Sequence, residues 1–121
     1  MKDFVNERWR TILDRNGLTD FDALWDLKAD WFEAPNHRRG GWSGVSRCEL
    51  DRPEGGKVAV FLKRQENHKA RIWSHPVHGA PTFLREFKHI MHYRECGVAT
   101  LEPVYFGMHK AGKDYRAILV T

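Results

Sequence analysis

Six residues constrain this chain more than any others: Val58 to Lys63, Val-Ala-Val-Phe-Leu-Lys. A β-branched and aromatic run of this kind favours a buried strand. A strand delivers its last side chain to a fixed point, so Lys63 becomes the first candidate functional residue. Before it, Asp51-Arg52-Pro53-Glu54-Gly55-Gly56-Lys57 is a strong polar turn, and Val45 to Leu50 has the pattern of a partner strand. The expectation is an antiparallel hairpin. Further upstream, Arg39-Gly40-Gly41-Trp42-Ser43-Gly44-Val45 contains a G-x-x-G spacing. Gly40 and Gly41 tolerate positive φ, and backbone amides in such a turn can converge on phosphate oxygens. A plain β-hairpin accounts for the glycines equally well. Lys63 beneath the turn would be a point counter-ion for phosphate; alternatively it opens a solvated run reaching to Lys69.

Downstream, a helix is expected from a cap near Thr82 to about Glu95, stopped by Gly97. Phe83, Phe87, Ile90 and Met91 make its apolar face, and Glu86 lies at the border of that stripe. A carboxylate there needs a cationic partner, because leaving it desolvated and unpaired is costly. Lys63 is one candidate, and Arg85 and Arg94 are others. Two further strands follow, one through Val104 to Gly107 and one through Tyr115 to Val120, joined by a turn around Ala111 to Lys113. A chain that ends on so apolar a strand is expected to be a piece of a longer one.

The N-terminal third has a different character. Phe4, Val5, Arg8, Trp9, Ile12 and Leu13 recur at helical spacing, with a stop at Gly17. Thr19 or Asp20 then caps a second helical segment through Phe21, Leu24, Trp25 and Leu27, closed by Trp31 and Phe32 and ended by Pro35. Residues 1–34 are expected to be a helical extension that uses its tryptophans as core, or offers them as a docking face.

The chain has 121 residues, enough for one modest core, and 30% of them are charged. No apolar run approaches the ~20 residues of a bilayer span, and the charged N-terminus does not read as a secretory signal. A cytoplasmic setting is expected, with peripheral association at the inner face of the membrane as a further option. Net charge is +4, but residues 1–34 are acidic and residues 35–75, with nine Lys/Arg against four Asp/Glu, carry the basic excess. That suits a phosphate-rich ligand, nucleic acid or an anionic membrane surface. Cys48 and Cys96 have no CxxC spacing and are read as reduced packing residues. His68, His75 and His78 lie in a polar connection, and His89 and His92 on the helix lack a zinc-binding pattern. No metal site is expected from them.

Glycine turn, strand lysine and helix glutamate, in that order, are the parts that protein kinases use on the nucleotide side of their site. Together with Trp31 to Asn36, Arg38 to Val45, Phe61 to Asn67, Pro81 to Phe87 and Gly97 to Val104, they make the chain resemble the lipopolysaccharide kinase family of Kdo-kinase and InaA-like proteins, relatives of eukaryotic-type protein kinases. The resemblance implies an α+β fold: a kinase-like N-lobe over residues 35–121, with an antiparallel sheet of about five strands and one packed helix, preceded by the helical extension. It implies that Gly40, Gly41, Ser43 and Gly44 cover a nucleotide, that Lys63 holds the α- and β-phosphates of ATP, and that Glu86 orients Lys63. Thr121 would fall near the adenine pocket. The first glycine of G-x-G-x-x-G is replaced by Arg39, which puts the detail of phosphate covering in doubt. The catalytic Asp and the Mg²⁺ ligands would belong to a C-lobe absent from this chain, so the fragment is expected to be inactive.

As a whole protein the resemblance implies an ATP- and Mg-dependent kinase acting on a core sugar of lipopolysaccharide. Two alternatives remain at this point. One is a pseudokinase or stress-response regulator that keeps the fold without transfer. The other is a basic binding module for anionic lipid or nucleic acid, of which nucleic acid is the less expected partner.

Overall fold

In the computed structural model the described residues are 2–38, 41–67, 69–72 and 75–121; the side chains of Arg38, of 69–72 and of 75–81 are not described. The expected hairpin is present. Strand β3 (Gly41–Asp51) pairs antiparallel with β4 (Lys57–Glu66), with Val45 opposite Lys63. The polar turn between them places both Gly55 and Gly56 at positive φ. The helix, α3 (Thr82–Glu95), has its expected bounds. It ends at Gly97 (φ 72°), where the amides of Gly97 and Val98 return to the carbonyls of Arg94 and Tyr93 at 3.1 and 2.9 Å. This six-to-one, five-to-two pairing satisfies carbonyls that a helix end otherwise leaves orphaned. Strands β7 (Tyr105–Ala111) and β8 (Asp114–Val120) form the final hairpin.

The antiparallel sheet, expected with about five strands, has six among the described residues, in the order β1-β7-β8-β4-β3-β2, with every pairing antiparallel. Both additional contributions come from the segment expected to be helical. Phe4–Val5 is strand β1, paired with Phe106 and Tyr105 on the β7 edge. Trp31–Arg38 is strand β2 on the opposite edge, so Trp31 and Phe32 do not close a helix. Pro35 is compatible with that position, because an edge strand has one side whose N–H groups join no ladder. The pairing of β2 with β3 also shifts register twice. The boundary expected after residue 34 therefore falls within β2.

Among the described residues of the 1–34 segment, helix is confined to a 3-10 turn at Glu7–Trp9, α1 (Arg10–Arg15) and α2 (Phe21–Asp26). α1 ends as expected at Gly17, with the Leu18 amide returning to the Leu13 carbonyl at 2.9 Å while both leucine side chains are buried. Asp20, not Thr19, caps α2 by accepting the Ala23 amide at 2.8 Å. Between residues 68 and 81, where a polar connection was expected, β5 (Lys69–Ile72) and β6 (His75–Pro81) make a separate two-stranded ribbon.

The sheet is covered on both faces, which explains why β8 reads as a continuous apolar run. Ile118 and Val120 join one buried cluster with Leu13, Leu18, Phe21 and Leu24 of the N-terminal segment. Ala117 and Leu119 join the other, with Phe83, Leu84, Phe87 and Ile90 of α3. Side chains alternate across a strand, so α1 and α2 pack on one face and α3 on the other. The N-terminal residues thus share the core of the sheet. Asn16 ties them to the β3–β4 hairpin, donating to the Asp51 carbonyl and accepting the Asp51 amide, each at 2.9 Å.

Candidate nucleotide-side site

β4 delivers Lys63 to the α3 face. Its Nζ donates to Glu86 Oε1 at 2.5 Å, so of the three cationic partners weighed for Glu86 it is Lys63 that makes the contact. The lysine side chain is 15% exposed and the glutamate side chain 37% exposed. The ion pair is therefore enclosed on the strand side and open toward α3. An ammonium has three N–H donors, and Glu86 uses one. Lys63 can hold a carboxylate and phosphate oxygens together.

Glu86 is placed there by a residue that the sequence reading passed over. Gln65, two positions beyond Lys63 and on the same face of β4, is 0% exposed. Its carboxamide oxygen accepts the Phe83 amide at 2.7 Å, and its Nε2 donates to Thr82 Oγ1 at 2.9 Å. The first turn of α3 is thereby fixed onto the strand. One turn later Glu86 meets Lys63. In the sequence, Gln65 belongs to a polar run from Lys63 to Lys69, and the available signal was strand alternation continued past the apolar residues.

The glycine segment differs from the expected turn. Gly41 and Gly44 lie within β3, and neither is at positive φ. Close approach, not backbone conformation, accounts for both. A Cβ on Gly41 would lie 2.6 Å from the carbonyl carbon and oxygen of Asn67, and one on Gly44 would lie 2.6 Å from the Trp31 ring. Ser43 is half-buried, opposite Gln65 and Asn36 in the two ladders. Arg39 and Gly40 lie outside the described residues. Arg38 pairs with Gly41 across the two strands.

Two further groups line the Lys63 face. Phe61 precedes Lys63 by two residues, and its ring meets that of Phe32 at 5.2 Å. Thr121 pairs with Phe61 through both backbone bonds, at 2.9 and 3.1 Å. This brings the position expected near the adenine pocket alongside the lysine strand. A cavity of about 600 Å³ flanks Glu86 on the outer side of α3, between Arg85, His89, Tyr93 and Leu101.

The remaining candidates do not converge. Cys48 is buried on the α1–α2 face, and burial pushes its thiol above the usual range. Cys96 is exposed, 3.8 Å from His92 Nε2, and so is not a packing residue. His68 and the side chains of His75 and His78 lie outside the described residues. Among the described residues no three His, Cys, Asp or Glu side chains are grouped to hold a metal ion. Lys63 offers spare N–H donors of a kind that phosphate oxygens can accept, while the described residues group no set of metal ligands. No helix among the described residues is long and apolar enough to cross a membrane.

Comparison with known proteins places this geometry in context. The family model described as lipopolysaccharide kinase (Kdo/WaaP) matches residues 22–121. Protein InaA of Escherichia coli (strain K12) is 34% identical over 102 residues, which is 84% of this chain and 44% of InaA. The chain therefore spans less than half the length of that relative. No solved structure matches it.

Proposed function

Since the chain belongs to the lipopolysaccharide kinase (Kdo/WaaP) family, we propose that it is the nucleotide-binding part of an ATP-dependent kinase that phosphorylates a sugar hydroxyl of the lipopolysaccharide core. The observation that carries this reading is the Lys63–Glu86 ion pair, held between a central strand and α3, which packs on its face. Phosphoryl transfer depends mainly on positioning and on charge stabilisation. Lys63 supplies charge at a fixed point, and Glu86 with Gln65 supplies the positioning. Gly41, Ser43 and Gly44 of β3 would cover the phosphates, together with Gly40, which lies outside the described residues. Bound ATP with Mg²⁺ would contribute the transferable phosphoryl group and the metal's neutralisation of its charge.

The groups that align the acceptor hydroxyl and hold Mg²⁺ are assigned to a C-lobe outside this sequence. The isolated chain is accordingly proposed to bind nucleotide without turning it over. This reading puts the protein in the cytoplasm, where an acceptor at the inner face of the membrane would be within reach. The test is transfer of labelled γ-phosphate to purified lipopolysaccharide by the whole protein. Labelled lipid supports the reading. Mg-ATP binding without transfer to any core sugar would replace it with a non-catalytic regulator, and binding to anionic vesicles without Mg-ATP affinity would replace it with a surface-binding module.

A further inference from the structure

Two groups of the nucleotide-side site are gripped by a segment distant from them in sequence. On one face of the sheet, Phe4 of β1 packs its ring against Phe87 at 5.2 Å, and Phe87 follows Glu86 on α3. Phe87 in turn stacks on Phe106 at 4.5 Å. The inward side of α3 is thus seated on two aromatic rings, one of them from the N-terminal strand. On the other face, Trp25 of α2 packs against Trp42 at 5.5 Å, and Trp42 lies between Gly41 and Gly44. These grips act on the helix that carries Glu86 and on the strand that carries the glycines.

The second grip is itself fixed from β4 and β8. Arg64 follows Lys63 and points to the opposite face, where its Nη1 donates to the carbonyls of Trp25 and Leu27 at 3.0 and 2.7 Å. It is 7% exposed; Nη2 donates to Ser46 Oγ at 3.2 Å, while its buried Nε has no hydrogen-bond partner among the described residues, so the engaged Nη donors offset only part of the cost of burying the charge. Arg116, ion-paired with Glu66 at 2.8 Å, lies 4.8 Å above the Trp25 ring. The Gln65 contacts fix the first turn of α3, and the partly exposed Lys63–Glu86 pair adds little more. Packing sets where the rest of α3, and β3, sit.

We propose that residues 4–31 act as a positioning strap for the nucleotide-side site, Phe4 setting the seat of α3 and thereby Glu86, and Trp25 setting the glycine strand through Trp42. The proposal rests on the nucleotide-binding reading. Neither aromatic touches the ligand; each acts through the residue it packs against. Truncating Phe4 frees one side of Phe87 and lets α3 shift, lengthening the contact that orients Lys63. Truncating Trp25 frees Trp42 and loosens β3 beside the glycines.

The test uses the whole protein with Phe4→Ala, Trp25→Ala and the conservative pair Phe4→Leu and Trp25→Phe. Mg-ATP affinity is measured by calorimetry, together with amide hydrogen exchange over residues 41–46 and 83–91 and with thermal unfolding. The expected result is affinity weakened about threefold to tenfold by each alanine. Exchange should be faster in α3 for Phe4→Ala and in β3 for Trp25→Ala, with recovery in the conservative variants. Folded alanine variants that bind Mg-ATP as the wild type does, with unchanged local exchange, overturn the strap. If the wild type binds no Mg-ATP, the nucleotide reading fails, and the exchange data alone decide: acceleration confined to those segments supports the strap, and its absence overturns it. If an alanine variant does not fold, Phe4→Val and Trp25→Leu are read against the same two outcomes.

Discussion

The carboxamide oxygen of Gln65 accepts the backbone amide of Phe83 at 2.7 Å, two residues along β4 from the lysine that pairs with Glu86. Strand and helix are therefore joined at two points one helical turn apart. The consequence is testable through Gln65→Leu, which keeps the bulk and removes both polar contacts. The Phe83 amide is then left buried without this partner, at a cost of about 1–3 kcal/mol. Chemical denaturation should report that loss. Mg-ATP affinity should fall as well, because Glu86 loses its anchor at the start of α3.

Gly41 and Gly44 should respond differently to the same substitution. The atoms a Cβ would meet at Gly41 are backbone, whereas at Gly44 they belong to the ring of Trp31, which is 42% exposed and on an edge strand. Gly41→Ala forces the main chain apart, with a cost of about 1–3 kcal/mol typical of overpacking. Gly44→Ala is relieved if the ring moves. Thermal unfolding should therefore show the Gly44→Ala penalty shrinking in a Trp31→Ala background and the Gly41→Ala penalty unchanged there.

Tyr105 gives a prediction in pH. Its phenol is buried and donates to the Asp3 carboxylate, and burial first, then that bond, hold its pKa well above the ordinary 10.0. Below pH 10 the phenol is protonated in folded and unfolded chains alike, and its contribution is fully present. Above it, the unfolded chain releases the proton while the folded chain keeps it, so stability falls as pH rises. Above pH 10 the wild type should lose stability with rising pH faster than Tyr105→Phe, by a slope difference that grows toward a limit of about 1.4 kcal/mol per pH unit, measured by denaturant titration. Equal slopes would show that Tyr105 is not held protonated by the fold.

Much of this was legible in the sequence, and what was not has identifiable physical reasons. Val58 to Lys63 and the α3 pattern combine strong periodicity with clear stops at Gly55–Gly56 and Gly97, so their elements follow, whereas the residues alone leave Lys63, Arg85 and Arg94 open as partners of Glu86 and only the family resemblance singles out Lys63. Phe4 and Val5 fit a helical spacing locally, yet pair with β7 about a hundred residues away. Trp31 and Phe32 preceded a proline, which marks a helix end as readily as an edge strand. Arg64 and Gln65 looked solvated because hydropathy registers side-chain polarity and not the partners, which lie 17 to 39 residues away in sequence. The glycines were read for φ, whereas their neighbours in space account for them.

The measurement that bears most directly on the central claim is the rate of phosphoryl transfer to lipopolysaccharide by the whole protein carrying Lys63→Ala. Loss of one preorganised charge at the transferring group should lower the rate by about 10²-fold or more, with thermal unfolding confirming that the variant is folded. Transfer at the wild-type rate in the folded variant would contradict the assignment of Lys63 and, with it, the nucleotide-side reading of the Lys63–Glu86 pair.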